Sequence, residues 1–293
     1  MSVITTWEAT PNRVFHVWKL LQLPGVGPSN GEDLSYLIGP PSIRGENNSD
    51  SSYRHLIEEV HSLGIIKRDG QEYAVIPELE GNNDETLANY LQRILLNIDE
   101  SQRCSQEGFT KSLLWLLHQD PLTGIDWGIN YRNLVLSDCG PASDGFELNN
   151  NQGCQQFVYW ARYLGFARRI NTGRNANKVV PDPTQAIRNQ LSMQMETGVQ
   201  YRIDDIWPEL VYNLPVLEGG LSYEVVNEMF DTDKQYEKPT NLSPATSLAF
   251  KRLQESKLID LTRLSDAEPW LFRISPNSDF DNYSHITWIG DKR

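Results

Sequence analysis

In the run 52–66, apolar residues fall at Tyr53, Leu56, Ile57, Val60 and Leu63, which lays them along one helical face. The run closes on Leu63-Gly64-Ile65, and Asp69-Gly70 then separates Ile65-Ile66 from Tyr73-Ala74-Val75-Ile76. Glycine tolerates the left-handed backbone that ends many helices, and Asp-Gly favours a tight hairpin turn. The stretch therefore predicts a helix followed by a two-stranded hairpin.

The same pattern returns twice. Residues 156–166 end on Leu164-Gly165-Phe166, before a turn at Asn171-Thr172-Gly173 and a strand around Lys178-Val179-Val180. Residues 247–259 repeat the helix with Lys257 where glycine stood, and Trp270-Leu271-Phe272-Arg273-Ile274 is the expected returning strand. Upstream, Gly31-Glu32-Asp33-Leu34-Ser35-Tyr36 resembles Gly220-Leu221-Ser222-Tyr223, so each predicts a second helix entered through a glycine. First helices are predicted over 14–23, 110–118 and 207–217, with Pro215 kinking or ending the last.

The fold class expected from this repeat is mainly α with small β-hairpins, built as three tandem winged-helix-like domains. The first covers residues 1–84. The second covers 85–198 and opens with a linker helix over 85–98, apolar at Leu87, Tyr90, Leu91, Ile94, Leu95 and Ile98, that packs it on the first. The third covers 199–293. Polar stretches at 45–51, 144–153 and 232–241 precede the third helix of each unit and are expected to be mobile insertions.

Composition supports a globular chain, with 39% hydrophobic residues and eight tryptophans to build a core. The opening Met1-Ser2-Val3-Ile4-Thr5-Thr6-Trp7-Glu8 lacks a basic, apolar leader, and no run of about 18 apolar residues occurs to span a bilayer. A cytoplasmic protein without a membrane partner is expected. Cys104, Cys139 and Cys154 are odd in number and lack metal-ligand spacing, which fits reduced thiols.

Charge separates the three units. The net charge of −13 opposes nucleic-acid contact over the whole surface. Residues 1–100 hold seven Lys and Arg against fifteen Asp and Glu, residues 199–293 ten against sixteen, and residues 101–198 nine against eight. In the middle unit Arg162, Arg168, Arg169, Arg174 and Lys178 fall on the third helix and hairpin, the parts of a helix-turn-helix domain that meet DNA. These five are the candidate nucleic-acid-binding residues; the competing reading is a solvated face, or pairing with the acidic units beside them. The acidic outer units suit protein partners, and Lys67 and Arg68 are neutralised by Glu58, Glu59, Asp69 and Glu72.

Signatures of common catalysis are absent: the chain has no phosphate loop, dinucleotide fingerprint, two-His zinc helix or nucleophile elbow. No catalytic residue, metal or cofactor is expected. Asp231 or Asp233 with Glu255 and Lys257 would supply the carboxylates and lysine of a Mg²⁺ nuclease, but Glu255 and Lys257 fall at a predicted helix end rather than on a strand. His55 and His61 are six apart and do not share a helical face, and neither His118 near Asp120 nor His16 near Trp18 has a third partner. Phe157, Trp160 and Tyr163 follow the spacing of a buried helical face.

Three such units, with a first helix at 13–23 and the endings Leu63-Gly64-Ile65 and Leu164-Gly165-Phe166, resemble the DpdG family. That family comes from bacterial gene clusters that insert 7-deazaguanine derivatives into DNA and carry restriction functions. The resemblance implies a non-catalytic accessory component of anti-phage defence, working beside helicase-like and nuclease-like proteins, and it brings no catalytic residue. The expected function is an adaptor whose acidic outer units hold protein partners while the central unit contacts DNA or a partner surface. The alternatives are a dimeric winged-helix transcription regulator and a Mg²⁺ nuclease using Asp233, Glu255 and Lys257.

Overall fold

The computed structural model describes residues 2–40, 50–81, 84–98, 106–171, 177–229, 240–265, 267–275 and 281–290. The chain begins with α1 (Pro11–Leu21), capped by Thr10, whose hydroxyl accepts the Arg13 amide, and started by a proline that needs no intrahelical donor. A short β1 (Ser29–Asn30) leads into α2 (Gly31–Ile38), where the Asn30 side chain accepts the amides of Glu32 and Asp33. Then follow α3 (Asp50–Ser62) and a hairpin of β2 (Ile66–Asp69) and β3 (Glu72–Val75), with Gly70 at φ +60° in its turn. The sheet order is β1-β3-β2, with Ser29 opposite Tyr73 and Arg68 opposite Tyr73 on the other side.

The helix α4 (Asp84–Leu95) stands where the linker helix is predicted and buries Leu87, Leu91 and Leu95. Beyond it the first pattern repeats. It comprises α5 (Glu107–Leu117), β4 (Ile125–Asp126), α6 (Arg132–Cys139), α7 (Asn151–Tyr163), β5 (Ala167–Asn171) and β6 (Asn177–Pro181), with the sheet order β4-β6-β5. The stretch 144–153 is not a loose insertion. Its 3₁₀ turn is followed by buried Phe146 and Leu148, and Asn150 caps α7 through the Gly153 amide, so apolar anchors hold it. The insertions expected over 45–51 and 232–241 fall mostly outside the described residues.

After α8 (Thr184–Gln194), the last unit departs from the other two. It runs β7 (Gln200–Arg202), α9 (Ile203–Asn213), α10 (Leu221–Asn227), β8 (Asn241–Leu242), α11 (Pro244–Glu255), β9 (Ile259–Thr262), β10 (Trp270–Phe272), β11 (Asp281–Tyr283) and β12 (His285–Trp288). The helix α9 ends before Pro215, although Pro208 lies inside it. The strand returning onto β9 is β12, not the segment 270–274 expected from sequence. Instead β10 joins a second sheet, parallel to β8 and antiparallel to β11. Trp270 and Phe272 are buried there, so an apolar alternation fitting either sheet was satisfied in the other.

One motif closes the third helix of all three units. Ile65 donates to Val60 O and Gly64 to His61 O; Phe166 donates to Ala161 O and Gly165 to Arg162 O; Leu258 donates to Leu253 O and Lys257 to Gln254 O. Each is a Schellman ending, with its six-to-one and five-to-two bonds and an apolar pair across them. The left-handed residues are Gly64 at φ +70°, Gly165 at +83° and Lys257 at +59°. Lysine thus holds a backbone conformation that glycine adopts without strain.

The helix α4 ties the first two of these endings together and also meets α10. Tyr90 donates to Gly64 O at 2.9 Å and the buried Gln92 to Leu164 O at 2.6 Å, while Ser222, at the start of α10, donates to Leu96 O and accepts the Ile98 amide. The buried apolar residues form one continuous core from Val3 to Trp288. Trp160 and Phe157 are fully buried in it, as their spacing predicts, whereas Tyr163 is only partly so.

In the last unit, Glu218 is buried and accepts from the Ser243 amide at 2.7 Å and the Thr246 hydroxyl at 3.0 Å, at the start of α11. Burial pushes its carboxyl above the usual range, outweighing the hydrogen bonds that lower it. The folded state therefore holds this proton more tightly than the unfolded chain does. The contribution is full below the unfolded value and is lost as pH rises through the folded one. In urea titrations the wild type should lose stability relative to Glu218→Gln as pH rises above the usual carboxylate range. Separately, Lys257→Gly should raise stability by about 1 kcal/mol by removing the side chain from the left-handed backbone, read as a higher denaturation midpoint.

Candidate nucleic-acid interface

The helix α7 buries Phe157, Trp160, Ala161 and its cap Leu164, which leaves Gln152, Tyr159 and Arg162 on the solvent side. The Schellman turn at Gly165 reverses the chain so that Arg168 and Arg169, on β5, come beside the last turn of α7. A third wall comes from the first unit. Trp160 Nε1 donates to Ala9 O at 3.1 Å, and Gln156 Nε2 donates to Ala9 O and Thr6 O, which seats residues 6–9 on α7. The N-terminus of α1 is thereby held at the rim.

The result is a cavity of about 500 Å³ between α1, α7 and β5, lined by Thr10 to Asn12, Tyr159, Arg162, Tyr163 and Ala167 to Arg169. Three of the five predicted residues, Arg162, Arg168 and Arg169, meet there. Lys178 does not line it; its ammonium pairs with Asp126 of the neighbouring strand at 2.8 Å. Arg174 lies outside the described residues.

The three arginines differ in environment. Arg169 stacks its guanidinium 4.6 Å from the Trp127 ring centroid, and Trp127 lies 5.9 Å from Tyr159. Arg168 Nε pairs with Asp182 at 3.1 Å, and the same carboxylate oxygen binds Arg252 of α11 at 2.7 Å. One buried carboxylate thus faces two guanidinium groups, so positive charge remains after pairing. The other Asp182 oxygen accepts the Thr184 amide and hydroxyl at the start of α8. None of the ion pairs among the described residues involves Arg162.

Trp127, Tyr159 and Asp182 were not singled out from the sequence. Tyr159 carries a readable signal, three positions before Arg162 on one helical face. Trp127 and Asp182 carry none, because only the sheet β4-β6-β5 brings them beside β5.

Elsewhere, the groups considered for chemistry stay apart. Glu255 and Lys257 are exposed at the end of α11, and Asp231 and Asp233 lie outside the described residues. His118 stacks on Tyr223 at 5.7 Å. Cys139 and Cys154 are free and buried, Cys104 lies outside the described residues, and burial pushes the Cys154 thiol up. Among the described residues, no group of three or more His, Cys, Asp or Glu could hold a metal ion, and no helix is long and apolar enough to cross a membrane.

The profile of the DpdG-like family matches residues 1–267. The chain belongs to the DpdG-like family. The match runs through all three units, from α1 to the connection after β9, and includes every residue around the cavity. No curated protein and no solved structure matches the chain.

Asp182 joins the hairpin of the second unit to α11 of the third. Asp182→Ala should lower stability by about 2 kcal/mol, through loss of a buried anion between two arginines and of the α8 start. The shift in urea midpoint at constant slope measures it.

Proposed function

We propose that this DpdG-like protein is a non-catalytic accessory subunit of a bacterial DNA-modification or anti-phage restriction system. In this reading it is built from three winged-helix units: the central one contacts DNA, and the acidic outer ones hold protein partners such as a helicase or nuclease of the same system. Membership of the DpdG-like family fits a DNA-modification setting.

The winged-helix reading draws on the first two units, which share one order: helix, short strand, helix, helix and hairpin. In both sheets the returning strand lies in the middle, as β1-β3-β2 and β4-β6-β5. The identical Schellman endings, which set each hairpin against its third helix, add to it.

The observation that carries DNA contact is the convergence of Arg162, Arg168 and Arg169 at one cavity in a chain of net charge −13. Guanidinium groups recognise phosphate in forked geometry and keep their charge at all physiological pH. An acidic chain that gathers three of them beside one helix end offers a local site for phosphate amid repulsive surroundings. Protein docking by the outer units rests on their charge: the residues flanking the central unit carry a surplus of Asp and Glu on both sides.

The test is salt-dependent DNA binding by the full chain. If about three phosphates are neutralised, the slope of log K against log salt should lie near −2 to −3. Changing Arg162, Arg168 and Arg169 together to Glu should weaken binding at least about tenfold and flatten that slope. Unchanged binding in the triple variant would remove the central unit from the reading.

A further inference from the structure

We infer that the cavity between α1, α7 and β5 takes one unpaired nucleotide of single-stranded DNA, rather than the edge of a duplex. This rests on the reading that the central unit contacts DNA, and goes on to specify the form of DNA.

The first reason is steric. A helix with its side chains is about 10–12 Å across, and the major groove it would enter is about 12 Å wide. At its C-terminal half α7 does not stand alone. Residues 6–9 are hydrogen-bonded to Gln156 and Trp160, and Thr10 to Asn12 at the start of α1 rise beside Tyr159 and Arg162. The arginines therefore line a recess with a wall on the far side, not a free ridge. A duplex seated on α7 at this level would meet α1, whereas a strand with its bases unpaired can enter.

The second reason is the kind of surface in the recess. Tyr159 is 39% exposed at the cavity. Behind it lie Trp127, whose ring is tilted by 51° to that of Tyr159 at 5.9 Å, and the Arg169 guanidinium, 4.6 Å over the Trp127 ring. Aromatic and guanidinium planes accept the face of any base, a face that a duplex hides in its stack. Arg162 and Arg168 stand on the same recess to receive the phosphate. Paired charge and flat ring thus lie within one nucleotide-sized space, since ligand cavities of about 300–1,000 Å³ are typical for such molecules and this one is about 500 Å³.

The Arg168–Asp182–Arg252 link gives the phosphate side its rigidity. Asp182 is buried and is held by Thr184, so it fixes Arg168 while leaving that side chain 59% exposed. Arg162, without a carboxylate partner among the described residues, is left to bind the incoming anion.

The experiment is fluorescence anisotropy of the full chain with labelled oligo-dT, oligo-rU and a blunt duplex of equal length. The expected result is tighter binding of oligo-dT than of the duplex. Tyr159→Ala should weaken oligo-dT binding roughly tenfold, and Tyr159→Phe should restore it. Arg162→Gln, at an exposed position, should weaken oligo-dT binding as well. Equal or tighter duplex binding would overturn the inference, and so would a Tyr159→Ala variant that binds oligo-dT like the wild type. If in either case Arg162→Gln still weakens DNA binding, phosphate contact by the central unit stands and only the unpaired base is lost. Tighter binding of oligo-rU than of oligo-dT would overturn the assignment to DNA. Failure of the wild type to bind all three would overturn the underlying reading too.

Discussion

Two side chains of α4 reach the ends of two other helices, and the assembly of the chain depends on that contact. Tyr90 and Gln92 donate to Gly64 O and Leu164 O, carbonyls that belong to the Schellman endings of α3 and α7. A helix leaves its last carbonyls without intrahelical donors, and burying one unsatisfied is expensive. The helix α4 satisfies both, and Ser222 meets its own C-terminal end in turn. The units therefore share one core and polar joints that only their relative placement can satisfy.

That constraint also makes the candidate site. Because the first unit is held against the second, the N-terminal segment lies along α7 and α1 begins beside the arginines. In an isolated central unit the same arginines would lie on an open surface. The third unit contributes from the other side, through Arg252 on Asp182. A basic recess can form in so acidic a chain because its charges are local: exposed charges farther than about a Debye length, 8–10 Å, are screened, while pairs such as Arg168 and Asp182 act at contact distance.

The third unit shows how a repeat diverges without losing its joint. Its Schellman ending keeps both hydrogen bonds although lysine has replaced glycine, and the apolar pair Leu253 and Leu258 remains. What changed is the strand that completes the sheet. Between β9 and its partner β12 the chain leaves to build a second sheet with β8, so the unit has two small sheets where the others have one.

The sequence alone determined the local elements: helices from their apolar period, their ends from Gly64 and Gly165, and the first hairpin from Asp69-Gly70. Those are short-range features, in which each residue's conformational preference and its neighbours within a turn decide the outcome. It also determined that charge is concentrated on α7 and β5. The tertiary structure decided which strand returns to β9, since the alternation at Trp270 and Phe272 fits any sheet with a buried face. It decided too that Lys178 is paired off by Asp126, that Trp127 and Asp182 join the site, and that the arginines line a walled recess. These contacts join residues of different elements, brought together by the order of strands in the sheets and, for the recess, by the docking of the N-terminal segment on α7, and no local period encodes them.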